Sequence, residues 1–296
     1  MSVVKKKFIV FILFIFFSCG QSSNEKKNID VKQTPISNFE KAEKARKEKR
    51  KIIEEQNHID SLHLSKILDN ALKIANENAE KLNFKKSYSE KMINSSNNVD
   101  VEINLDYHFT KKNPHWIIRR IAPNTIYIDV FSKHNNVLKK VLSHEEWAMT
   151  YVNDTIQDVN GDNIKDFVVN WYGASGCCLK AFKNVYLLKN DEKTFSQGNE
   201  FINPTFSPNE KIIRGVCYGH PGYTEMYKYK WNGETVDTLE YVFYETEKDN
   251  SEKKTGRIII SNHEPYHKDF KILKIVKKVP REYKKIFGYD WFLGNP

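Results

Sequence analysis

The chain has 296 residues, a formal net charge of +9, and 40% hydrophobic and 13% aromatic content. That is enough for one larger domain plus a helical extension. Its ten-residue apolar run, Phe8 to Phe17, covers only about 15 Å as helix against a hydrocarbon core of roughly 30 Å, which excludes a permanent transmembrane helix there.

Lys5, Lys6 and Lys7 precede that run and Ser18-Cys19-Gly20 follows it, the layout of an export signal with a small-residue cleavage site. The stretch FFSCG resembles the lipobox of bacterial lipoproteins, with Phe16 where Leu is usual. The resemblance implies a signal peptide over 1–18, acyl chains (diacylglycerol and palmitate) on Cys19, and a membrane anchor of more than one chain. Gly20 stands where some bacteria place an Asp that retains lipoproteins in the inner membrane, so an outer-membrane destination is expected, with the domain facing the periplasm or the surface. Removing the three signal lysines lowers the net charge from +9 to +6. That mildly basic surface suits anionic headgroups and, in the envelope, calls for no nucleic-acid partner.

Residues 19–37 are polar and aperiodic and read as a tether. From 38 to 82 there is no Gly or Pro, and Leu68, Ala71, Leu72, Ala75, Ala79 and Leu82 fall at helical spacing, predicting one long helix with an apolar stripe that docks on the domain. Residues 83–97 read as a linker. From 98 to 296 come short segments rich in β-branched and aromatic residues, among them HWIIRRI, TIYIDVF, DFVVNWYG and GRIIIS, separated by Asn, Gly, Asp and Pro. These predict a mainly β domain, propeller-like or of several antiparallel sheets, preceded by the N-terminal helix and closed by a short C-terminal helix with an aromatic plug.

The sharpest motif is Asp158-Val-Asn160-Gly-Asp162-Asn-Ile164-Lys-Asp166. Oxygen side chains at loop positions one, three, five and nine, with the Ile164 carbonyl at seven, form the donor set of a calcium loop. Asn163 replaces the Gly of an EF-hand at position six, acceptable because Asn tolerates the left-handed conformation. Val169 replaces the Glu at position twelve and a strand follows, so the helix-loop-helix reading fails.

This loop resembles the calcium loops of FG-GAP and integrin-type β-propeller repeats. Over about residues 150–240, DVNGDNIKDFVVNWYG, NVYLLKN and YKYKWNG are similar to a family of exported bacterial proteins with a propeller-like domain, some of which are immunity proteins that inhibit lysozyme-like effectors. The resemblance implies calcium ligands at Asp158, Asn160, Asp162 and Asp166. The flanks, 95–150 and 250–296, resemble uncharacterised lipoproteins. The insertion GASGCCLKAF (173–182) departs from the immunity members.

Besides Cys19 there are Cys177, Cys178 and Cys217. In an oxidising compartment one of the adjacent pair is expected to bridge to Cys217. The alternative is a zinc site of Cys177, Cys178, Cys217 and His220, against which the awkwardness of adjacent cysteines as tetrahedral ligands counts.

Catalytic motifs fare worse. His263-Glu264-Pro265-Tyr266-His267 fits the letters HExxH, but Pro265 in the helix interior argues against a zincin. His144-Glu145-Glu146 lacks a second His, and GASGC lacks the last Gly of a nucleophile elbow. Tyr218, Tyr223, Tyr227, Tyr229 and Trp231 read as a packed strand face before a binding surface. The sequence therefore points to a calcium-bearing module that binds or inhibits a protein or glycan partner. The alternative is a hydrolase acting on an envelope polymer.

Overall fold

The computed structural model describes residues 38–93, 96–135, 137–247 and 253–295. The expected signal peptide, Cys19 and the tether lie outside the described residues. The chain divides into two compact units between Glu54 and Glu55. The described part of the first is the charged opening of helix α1 (Asn38–Glu77), exposed from Phe39 to Glu54, with a 3.0 Å ion pair between Glu43 and Lys47 one turn apart.

The second unit contains the apolar stripe of α1. Ile67, Ala71 and Ala75 are fully buried and Leu64 nearly so, with Leu68 and Leu72 packed beside them. The helix ends earlier than the composition predicts: Asn78 turns its side-chain amide back onto the Ile74 carbonyl (2.8 Å), and the Asn78 and Ala79 amides make tight three-residue bonds to Ala75 and Asn76. Such bonds satisfy carbonyls that a last turn leaves open. Leu82, expected on the stripe, lies past the end and is exposed.

Among the described residues fifteen strands form three antiparallel sheets, each a meander in chain order. Sheet one is β1 (Phe84–Lys91), β2 (Asn98–Asp106), β3 (His115–Ile121), β4 (Thr125–His134) and β5 (Val137–Trp147). Sheet two is β6 (Tyr151–Gln157), β7 (Asp166–Tyr172), β8 (Ala181–Tyr186) and β9 (Asn199–Ile202). Sheet three is β10 (Pro204–Ser207), β11 (Ile212–Val216), β12 (Met226–Asn232), β13 (Thr235–Thr246), β14 (Lys254–Ser261) and β15 (Ile272–Val276), followed by the one-turn helix α2 (Tyr289–Leu293).

Strand periodicity sorts the side chains into four cores that alternate with the sheets. Trp116 and Ile118 of β3 face α1, whereas Ile117 between them joins Phe167 and Val169 of β7. Val168, on the other face of β7, packs with Ile213 of β11, Tyr227 of β12 and Tyr241 of β13. The neighbours Val216, Met226 and Val242 point the opposite way, toward Tyr283, Ile286 and Phe292 of the C-terminal segment. That segment is the expected aromatic plug. Because these central strands are covered on both faces, their sequences read as continuous apolar runs.

Residues 84–91, expected within a linker, form β1, paired with β2 from Phe84↔Leu105 to Lys91↔Asn98. The segment FKKSYSEK is an edge strand with no fully buried residue, and its lysines hide it from a hydrophobicity reading while blunting the edge.

Candidate functional site

The acidic loop joins β6 to β7, where the sequence places it. Gly161 and Asn163 both adopt positive φ, 77° and 67°, so Asn163 takes the left-handed conformation expected of it. The carboxylates, however, turn onto the loop's own backbone. Asp158 accepts from the amides of Gly161 (2.7 Å) and Asn163 (3.0 Å), and Asp162 from that of Ile164 (2.8 Å). Asn160 accepts from the Asp162 amide and donates to its carboxylate, both at 3.0 Å.

Asp166 stands apart from the rest. It is fully buried, and its two oxygens accept from the buried amides of Val159 (3.1 Å) and Leu188 (3.0 Å). Burial pushes its carboxyl up to about 7. The loop also ties sheet two to sheet three: Trp231 of β12 donates to the Val159 carbonyl (3.0 Å), and Gly161 lies so close to the Pro208 carbonyl that a Cβ there would collide with it. The donor chemistry suits a hard cation. A calcium ion would be held by Asp158, Asn160, Asp162, Asp166 and the Ile164 carbonyl, with Asp166 also anchoring the strands through the Val159 and Leu188 amides.

The structure leaves all three described cysteines free, and the expected bridge to Cys217 is not formed. Cys217 follows β11 and packs half-buried against the core of Tyr227, Tyr229 and Trp231; burial pushes its thiol up. Cys177 instead meets its neighbour and His220. The Sγ atoms of Cys177 and Cys178 are 3.5 Å apart, and Cys177 Sγ is 3.5 Å from His220 Nδ1. Among the described residues this is the one group of three His, Cys, Asp or Glu donors lying within 4.8 Å of one another. Three of the four residues of the zinc alternative thus come together, without Cys217.

Two loops hold this cluster. The β7–β8 loop is closed by the Gly173 amide on the Lys180 carbonyl (3.0 Å) and bends through residues 174–178, with Gly176 at a φ of 96°. The bend lets adjacent side chains converge, which an extended strand forbids. The β11–β12 loop carries His220 and is pinned by α2: Trp291 donates from Nε1 to the Gly219 carbonyl (2.9 Å) and accepts from the Gly222 amide (2.8 Å).

A third feature has no signature in the sequence. A cleft of about 290 Å³ opens between the β11–β12 loop, β13 and the β14–β15 loop, with Tyr223, Phe243, Tyr244 and Tyr266 on its walls beside Glu225 and Lys254. Tyr266 is completely exposed at a φ of 70°, and Tyr223 is 59% exposed. Lys254 Nζ lies 4.0 Å from the Tyr244 ring centre. Burial raises Glu225 above the usual carboxylate range. These residues come from four separate segments, the β11–β12 loop, β13, β14 and the β14–β15 loop, so no local motif announces them.

Of the aromatic series expected as a packed face, Tyr227, Tyr229 and Trp231 are indeed core, whereas Tyr218 and Tyr223 are exposed. His263 and His267 lie in a turn-rich loop, not a helix, with their rings stacked 4.1 Å apart. His144 is buried on β5 and bonds Tyr186 Oη (2.7 Å). Comparison of the chain with protein-family models and with curated proteins finds no match.

Proposed function

We propose that this protein is a lipid-anchored envelope protein whose β domain binds a protein or glycan partner through the aromatic cleft. The observation that carries the reading is the exposure of Tyr223 and Tyr266 on a concave surface that also holds Glu225 and Lys254. Apolar ring faces beside a few polar groups are how clefts grip a ligand, and solvent-facing aromatic rings are otherwise costly to leave uncovered. The volume sits at the low end for ligand clefts, so the cleft takes one ring-sized group of a larger partner. Binding is favoured over hydrolysis by a pair of carboxyl groups because Glu245, the second carboxylate in the cleft beside Glu225, is held in a two-point ion pair by Arg257 (2.6 and 2.7 Å).

The anchor on Cys19, the outer-membrane destination and calcium in the Asp158–Asp162 turn belong to the same proposal. Three successive meanders packed face to face support a propeller-like arrangement within it.

The test is retention of the full-length protein on immobilised envelope polysaccharide and on an envelope protein extract, with Tyr223→Ala and Tyr266→Ala compared with the parent. Retention lost in both variants is expected. Retention that survives both substitutions, or polymer cleaved during the assay, overturns the reading. For the anchor, Cys19→Ala is expected to abolish acyl labelling.

A further inference from the structure

We propose that Cys177, Cys178 and His220 form a site for a zinc-like divalent ion with three protein ligands and one open position. A tetrahedral ion with metal–sulfur bonds of about 2.3 Å and a metal–nitrogen bond of about 2.0 Å needs ligand edges of about 3.8 Å between sulfurs and about 3.5 Å between sulfur and nitrogen. The cluster shows 3.5 Å for Cys177 Sγ to Cys178 Sγ and 3.5 Å for Cys177 Sγ to His220 Nδ1. Two of its three edges are thus close to those an ion needs, and the third, between Cys178 and His220, lies within 4.8 Å.

Tyr218 hydrogen-bonds Cys178, and the buried Lys180 lies near the same thiol. A side chain on Gly176 would begin 3.4 Å from both Lys180 Nζ and Tyr218 Oη, which places the two groups together beneath the loop. A metal is the partner this chemistry selects, since two sulfurs and an imidazole suit zinc better than calcium or magnesium, which take oxygen.

Cys177 and His220 are exposed and Cys178 is buried, so the ion would sit at the rim with one face open to solvent. That face looks into an open trough of about 460 Å³ shared with Met149, Tyr172 and Trp291. Three ligands and an accessible fourth position distinguish a site that binds an exchangeable water or substrate from a closed structural one. Binding replaces the two thiol protons with the metal: both Cys are ligated as thiolates, two protons leave to solvent, and His220 contributes a neutral nitrogen.

The experiment is titration of Co²⁺ into the full-length protein, reduced and kept free of oxygen. One ion per chain is expected, with thiolate-to-cobalt charge-transfer absorption, the intense visible bands of a tetrahedral ion, release of about two protons, and displacement by Zn²⁺. Affinity is expected to fall by at least about tenfold in Cys177→Ser, Cys178→Ser and His220→Ala, and to stay unchanged in Cys217→Ser. Because Cys177 and His220 are exposed, circular dichroism is expected to show those two variants folded like the parent. Absence of charge-transfer absorption in the reduced parent overturns the site. So does affinity unaltered in both Cys177→Ser and His220→Ala.

Discussion

Gly215 on β11 lies opposite Tyr227 on β12, and the phenol ring fills the space in which a side chain on Gly215 would begin. The ring cannot yield cheaply: it is buried, stacks on Tyr229 with centroids 4.4 Å apart, and donates from its hydroxyl to the Ile202 carbonyl (2.7 Å). Gly215→Ala is expected to destabilise the domain by about 1–3 kcal/mol through overpacking, read as a lower urea midpoint with an unchanged slope. An unaltered midpoint would mean that the ring has room to move.

Arg120 and Asp129 are a buried ion pair (2.9 Å) that also fastens α1 to sheet one, because Arg120 donates to the Leu64 carbonyl (2.8 Å). Ser143 and Lys140 complete the Asp129 carboxylate at 2.7 and 2.9 Å. Removing Arg120 leaves the buried Asp129 with only Ser143 and the partly exposed Lys140, both on the same oxygen. Arg120→Met is expected to cost about 3–5 kcal/mol, with the double variant Arg120→Met/Asp129→Leu recovering a large part of that loss. Equal losses in the single and double variants would refute the coupling.

His115 is fully buried against Phe109, with ring centroids 5.1 Å apart, and burial pushes it down to about 4. The unfolded chain takes up this proton near pH 6.5, whereas the folded chain resists until about pH 4. Its contribution to stability is therefore full above pH 6.5 and is lost as the pH falls from there toward 4, about 3 kcal/mol across the window at 1.36 kcal/mol per pH unit. His115→Phe is expected to flatten the stability profile between these limits. His108 and His144, also pushed down by burial, sustain the remaining slope. A profile as steep as the parent's would show that His115 is not the group responsible.

The division of labour in the acidic loop is separable by mutation. Asp162, exposed in the turn, is expected to matter for calcium affinity and little for the melt in chelator. Asp166→Ala is expected to lower the melt with or without calcium, since it leaves the buried Val159 and Leu188 amides without an acceptor, at about 1–3 kcal/mol per stranded group. Calorimetry and thermal melts on the two variants distinguish the roles. A melt indifferent to calcium in the parent would remove the ion from the account.

The legible part of this fold was its periodicity. The 3.6-residue spacing of Ala71 and Ala75, and the apolar runs of β3, β4 and β7, announce which residues become core. β1 was hidden because Lys85, Lys86 and Lys91 mask an edge strand, and β6 because YVNDTIQ carries few residues that pack on both faces. The acidic loop was legible as a turn with two left-handed residues, but the sequence gives no hint that Asp166 spends its oxygens on Val159 and Leu188. The thiol cluster is half legible: Cys177, Cys178 and His220 stand out, yet spacing groups Cys217 with them although it faces the tyrosine core. The cleft around Tyr244 and Tyr266 depends on strand order, which spacing alone does not encode.

In the order of helix, sheet, sheet, sheet and terminal plug, each hydrophobic core lies between one layer and the next, while the plug also reaches back to the β7–β8 loop, where Gly288 meets Leu179. Cooperativity in such a stack is mainly nearest-neighbour, as in repeat arrays. Amide hydrogens of β7 and β8 should be the last to exchange, while the ends open first. Force applied at the helical end would thus open the layers in chain order, leaving the aromatic cleft of sheet three until late.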